Sequence, residues 1–201
     1  MILRSSPPSP FGRKVKIAAA VLGLMDQIDI VPADTNNASD ELRSQNPLGK
    51  IPTLVLDDGR TLFDSRVILD YLDHLAGGGR IIPGSADARF AALRMQALCD
   101  GIMDASILQV YEARFRPESV RHQPWLDYQA EKVTRALASL EAEPQALNPI
   151  PHVGQIALAC ALGYQDLRFS GAWRRSHPNL VAWLDRFAAQ VPAFEKTRVA
   201  A

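Results

Sequence analysis

The sequence is poor in cysteine, with two residues in 201, and neither comes early: they are Cys99 and Cys160. Two thiols are too few for a disulfide framework or a four-thiolate zinc site; a single bridge between them is formally open. There is also no excess charge of either sign. Lys and Arg number 22 and Asp and Glu number 22, so bulk electrostatics cannot hold the chain to nucleic acid or to anionic lipid, although a local patch is not excluded. No apolar run approaches the roughly 18–20 residues of a membrane span. The start, Met1-Ile2-Leu3-Arg4-Ser5-Ser6-Pro7, has no secretory apolar core or cleavage site. His74, His122, His152 and His177 lack metal-ligand spacing, so no metal site is expected. Gly77-Gly78-Gly79 is not followed by the Lys-Ser/Thr of a phosphate-cradling loop. What remains is an apolar fraction of 47% with 22% charged residues, enough to build a sizeable core. The expectation is a reduced, soluble, cytoplasmic chain, in which the Asn37-Ala38-Ser39 sequon has no meaning.

The two halves differ in period. Up to about residue 75, short strand-like runs alternate with helical ones. Residues 2–5 and 28–31 read as strands, the second closed by Pro32. Residues 11–24 carry Val15, Ala18, Ala19 and Leu22 at helical spacing, and residues 39–45 suggest a short polar helix. Residues 53–56 and 61–63 form a hairpin around Asp57-Asp58-Gly59-Arg60, where Gly accepts a positive φ. Residues 65–75 are helical through Ile68, Leu69, Leu72 and Leu75. A β-α-β start implies a parallel pair, to which the hairpin adds antiparallel strands.

Beyond the glycines no strand is evident. Residues 86–116 form one long helical pattern ended by Pro117, and 125–143, 153–169 and 177–190 form three more. The fold class is therefore α/β followed by all-α: a domain over 1–76, a linker over 77–85 and a helical domain over 86–201. Helix 153–169 begins His152-Val153-Gly154-Gln155. Gln155 can bond back to the His152 N–H, but a histidine cap is expected to fix this helix start less tightly than Ser or Thr.

The most informative stretch is Asn46-Pro47-Leu48-Gly49-Lys50-Ile51-Pro52-Thr53-Leu54. A proline between a polar helix and a hairpin is where thioredoxin-like folds place a cis-proline. A cis bond there turns the backbone N–H and C=O of the preceding residue away from the sheet, so that an extended peptide can pair with Ile51 like an added strand.

This segment resembles the glutathione-binding loop of cytosolic glutathione S-transferases. Ser9-Pro10-Phe11-Gly12-Arg13-Lys14-Val15-Lys16-Ile17 resembles the start of their first helix in bacterial serine-type, theta-like or zeta-like members. Asp64-Ser65 matches the family's acidic-Ser pair. Asp100-Gly101-Ile102-Met103-Asp104 and Pro178-Asn179-Leu180-Val181-Ala182-Trp183-Leu184 match segments of its helical part. The resemblance implies a thioredoxin-like domain followed by a helical bundle, glutathione as co-substrate, and a homodimer joined near the third and fourth helices.

It also implies roles. Ser9 becomes the catalytic candidate, a hydroxyl at a helix N-cap that hydrogen-bonds the glutathione sulfur and favours its thiolate. Ser5 and Ser6 compete, but Pro7-Pro8 separates them from the helix. Arg13 either turns inward as a second positive group or lies on a solvated face. Lys50 reaches the glycyl carboxylate, Ile51 with Pro52 pairs the cysteinyl residue, and Asp64 and Ser65 hold the γ-glutamyl end. Asp100 approaches the γ-glutamyl ammonium of a neighbouring subunit, or else it is solvated, as Asp104 could be. A small electrophile would lie against Phe11, Met103, Ile107 and Tyr111. Relatives that exchange disulfides carry a cysteine where Ser9 stands, so that subtype is disfavoured. Peroxide reduction, dehalogenation and isomerisation use the same site. A non-catalytic binding or structural protein on this fold is the alternative to an enzyme.

Overall fold

The computed structural model describes residues 1–199; the last two positions of the expected helical domain lie outside them. Strand β1, Ile2–Ser5, runs parallel to β2, Asp29–Pro32, with Leu3 opposite Ile30. On its other side β1 pairs antiparallel with β3, Thr53–Val55, and β3 pairs antiparallel with β4, Thr61–Leu62. The sheet order β2-β1-β3-β4 follows from the local grammar. A helical crossover joins the parallel pair, and the Asp58-Gly59 turn, with Gly59 at φ 85°, joins the antiparallel one.

Helix α1, Pro10–Leu22, begins with Pro in its first turn and ends at Gly23, whose left-handed φ of 75° lets its N–H reach the last carbonyls. Its apolar face, including Val15, Ile17 and Ala18, is fully buried. Helix α2 covers only Leu42–Gln45, shorter than the expected 39–45. The Asp40 carboxylate accepts the N–H groups of Asp34 and Leu42, both at 2.8 Å, and holds the preceding residues as a loop. Helix α3, Ser65–Leu75, starts and stops where expected. The expected strand 53–56 is one residue shorter, because Leu56 N–H already closes the turn onto Arg60 C=O, and 61–63 loses its last residue, Phe63.

Residues 77–85 contain no helix or strand, but they are pinned. The buried Asp73 carboxylate accepts N–H bonds from Gly79, Arg80 and Ile81 at 2.7–3.0 Å. Ile81 C=O in turn accepts from Val153 N–H. Helix α4, Ala86–Phe115, packs along α6, Val153–Phe169, and α5, Gln123–Ala142, covers the other side of α4. Gly154 makes the α4–α6 approach possible: a Cβ there would stand 2.7 Å from Ala92 O and from Met95 Cβ. Helix α7 is Pro178–Gln190, and α8, Ala193–Lys196, is an extra turn that the sequence pattern did not announce.

At the α6 start the expected Gln155 back-bond is present. His152 Nδ1 accepts from Gly154 N–H and Gln155 N–H, and Gln155 Oε1 accepts from His152 N–H, so the box is complete on both sides. Burial holds the His152 imidazole below its ordinary pKa, which keeps the acceptor nitrogen unprotonated. Cys99 and Cys160 are free and fully buried, and no bridge joins them.

Candidate functional site

Strand register brings the site together. Arg4 pairs with Thr53 and Leu54 with Leu62, so continuing both ladders sets Ser5 beside Pro52 and Pro52 beside Asp64. The end of β1, the start of β3 and the end of β4 therefore share one edge of the sheet, and the N-termini of α1 and α3 open there. The Ile51–Pro52 bond is cis, and so is Phe63–Asp64. Neither the N–H nor the C=O of Ile51 has a hydrogen-bond partner among the described residues.

The loop before Pro52 is shaped by Asn46, which is 1% exposed. Its Nδ2 donates to Lys50 C=O at 2.9 Å and to Thr53 Oγ1, and its Oδ1 accepts from Leu48 N–H. Gly49 takes φ 58° beneath Lys50, a conformation that a side chain disfavours. Lys50 is thus exposed on a fixed stalk with no ion-pair partner among the described residues. Asn46 is a positioning residue that the sequence reading quoted without giving it a role. Its signal was a buried-type amide two residues ahead of a turn.

Ser9 caps α1: its Oγ accepts from Gly12 N–H at 3.1 Å, which leaves its own proton free to donate. Ser5, its competitor, is 1% exposed beneath Gly12, and its hydroxyl has no partner. At α3, Asp64 Oδ1 accepts from Arg66 N–H at 2.8 Å, and Ser65 is the first helical residue.

Asp100 is not solvated. It is 1% exposed, with one carboxylate oxygen 2.6 Å from Lys14 Nζ and the other 2.8 Å from Arg66 Nε. Each oxygen already accepts from one cation of this chain, and at 1% exposure the solvated alternative does not hold. The bond to Asp100 raises the Arg66 pKa further. Asp104, four residues on and so on the same helix face, is exposed. Partial burial and the Asp100 charge push its carboxyl upward, opposed by Arg66, Lys50 and Lys14. The sequence named Asp104 only as a residue that could be solvated.

Arg13 is neither solvated nor aimed at the sheet edge. It lies 4.1 Å over the Phe194 ring, and its Nη2 donates to Phe194 C=O at 2.6 Å, fastening α1 to α8. A cavity of about 650 Å³ adjoins the Ser9 loop, walled by Pro7, Tyr164, Leu167 and Phe194. None of Phe11, Met103, Ile107 and Tyr111 lines it. Met103 has no exposed surface and packs in the core, so it cannot present a face to a substrate. Phe11 and Ile107 are half-buried, while Tyr111 is 40% exposed and meets Phe115 edge-on at 5.2 Å. Among the described residues no group of His, Cys, Asp or Glu is placed to hold a metal ion, and no helix is long and apolar enough to cross a membrane. Cys160 borders the Ser9 cavity but is fully buried, and burial pushes its thiol up to about 11.

Residues 8–75 match the family description of the glutathione S-transferase N-terminal domain. A GST-like protein of Escherichia coli K12, YibF, is 32% identical over 186 residues, covering 90% of each chain. The structure of a glutathione transferase family member from Pseudomonas fluorescens Pf-5 with bound glutathione superposes with a TM-score of 0.90. It is 40% identical over all of this chain and 99% of that one. A glutathione S-transferase from Methylobacillus flagellatus KT with glutathione bound gives 0.91 at 34% identity, covering 99% of each.

Proposed function

The chain belongs to the glutathione S-transferase family, and from that premise we propose that it binds glutathione at the sheet edge and activates its thiol for attack on a small electrophile. One observation carries this reading: the unpaired Ile51 backbone, the free Lys50, the Asp64-Ser65 helix start and the Ser9 hydroxyl share one edge. The glutathione cysteinyl residue pairs with Ile51 beside Pro52 as a short added strand. Lys50 meets the glycyl carboxylate. Ser65 and the first N–H groups of α3 take the γ-glutamyl carboxylate, and Asp64 takes the ammonium. Asp104 adds a second acidic group near that ammonium.

A free thiol has a pKa of ~8.5 and reacts as thiolate. The Ser9 hydroxyl donates to sulfur while its oxygen accepts from Gly12, and the positive end of α1 adds about half a charge. Both favour the anion, and the thiol proton passes to solvent. The thiolate then forms the carbon–sulfur bond as the electrophile's leaving group departs with its electron pair. The electrophile lies against Phe11, Ile107 and Tyr111. The sheet part, residues 1–76, supplies the glutathione site, and the helical part after the linker supplies the second wall. A homodimer forms across α3 and α4, whose exposed Val67 and Phe90 (47% and 68%) are the apolar surface that it covers.

Substitution S9A tests the chemistry. Losing a hydrogen bond to a charged sulfur, worth ~1.5–3 kcal/mol, lowers kcat/KM with chlorodinitrobenzene by about 10- to 100-fold. The thiolate absorbance of bound glutathione at neutral pH falls with it, while glutathione affinity by calorimetry changes little. Unchanged thiolate and turnover would leave Ser9 a helix cap only. No binding heat at millimolar glutathione would remove the whole reading.

A further inference from the structure

A second cavity lies on the other side of α8 from the Ser9 loop. It holds about 590 Å³ between the rear of α1, the loop at residues 149–151 and the α7–α8 junction. That volume falls within the ~300–1,000 Å³ of small-molecule sites. Its walls are Val21, Met25, Ile150 and Val191, apolar side chains from three separate elements. The loop wall is fixed, because Gln190 Nε2 donates to Asn148 C=O at 2.7 Å and to Pro149 C=O at 3.0 Å.

Lys16 lines this cavity and is 9% exposed, yet it has no hydrogen-bond or ion-pair partner among the described residues. Its neighbours on the same helix, Arg13 and Lys14, are both satisfied. Lys196, the second cation of the lining, is exposed and also unpaired among the described residues, and none of the described lining residues is an Asp or Glu. Burial and the Arg13 charge hold the Lys16 ammonium below its usual range, the mark of a cation without a counter-ion. The C-terminal ends of α1 and α7 border the cavity and contribute about half a negative charge each, less than the two lysines supply.

We propose that this cavity binds a small carboxylate with an apolar body. Its anionic head would sit on Lys16 and Lys196, and its chain against Val21, Met25 and Ile150. An apolar wall alone would accept neutral molecules equally well; the unpaired ammonium at the end of the largely buried Lys16 side chain is what selects an acid. The site is separate from the glutathione edge, sharing only Thr197 with the Ser9 cavity.

Octanoate and octanol are the probes, since they share a chain and differ in the head group. By calorimetry the full-length protein binds octanoate about tenfold more tightly than octanol, as expected for one charge-assisted contact. In K16M, checked for native circular dichroism, that preference falls to near one with octanol binding unchanged. Equal affinity of the wild-type protein for the two probes, or a preference that survives K16M, overturns the proposal. A diazirine-bearing octanoate, applied to the wild-type protein, gives the location without any variant. Adducts on Val21, Met25 or Ile150 support the site; adducts on the Ser9 cavity, or none, refute it.

Discussion

Lys14 has no exposed surface at all, which is a rare place for an ammonium. It survives there because Asp100 meets it at 2.6 Å, and Asp100 is itself bound by Arg66. Removing one member of a buried pair leaves the other charge desolvated. K14M should therefore lower stability by about 3 kcal/mol, the low end of the range for a broken buried pair because Arg66 remains. Urea denaturation measures it, and a loss well under that would show that water reaches Asp100. The same site marks where sequence reading ended. The local geometry at Ser9, Pro52 and Asp64, two helix caps and a cis bond, was legible because each sits at a local signal. Asp100 was not, because its two partners lie 86 and 34 residues away in sequence and only tertiary packing decides whether a carboxylate is spent inside the chain.

Among the elements, α6 is the best specified and the most exposed to pH. Its start depends on a neutral imidazole that accepts two N–H bonds. The unfolded histidine titrates near 6.5 and burial lowers the folded value, so the unfolded chain binds more protons between the two. The cap's contribution is complete above about 6.5 and is lost as pH falls through the folded value. Thermal denaturation should show a loss of about 1 kcal/mol on that acid side, absent in H152S, whose hydroxyl caps without titrating. An H152S profile parallel to the wild type would refute this. Helices α3 and α6 were read to the residue because caps bound them at both ends. Strand β3 and helix α2 came out shorter, since the Leu56–Arg60 backbone bond and the Asp40 carboxylate close loops that no periodicity reports. Helix α8 was missed altogether, because four residues hold too little pattern to be seen.

For the whole molecule, the polar contacts that join the two parts include Asp73 gripping the linker amides, Lys14 and Arg66 on Asp100, and Arg13 on Phe194. They leave the outer faces of α3 and α4 free, where Phe90 stands 68% exposed. Sedimentation should find a dimer at micromolar concentration, and F90D should shift it to monomer while glutathione binding persists. A wild-type protein that sediments as a monomer would remove the dimer from the reading. In the proposed reading the glutathione contacts come from the sheet part except for Asp104 of α4, so the helical part acts mainly by the placement of its walls.

Helix α1 carries three cations within four positions, and each is engaged differently by the helical part: Arg13 by a carbonyl and a ring, Lys14 by a carboxylate, Lys16 by an open cavity. Together they form a key that only a matching second half can receive. A chimera joining this sheet part to another relative's helices would have to present an acid at position 100 and a backbone acceptor at position 194, or leave two charges buried without partners. Recombination between members of the family should therefore be filtered at this one helix, and crossovers in the glycine linker should succeed only where the lock travels with the key.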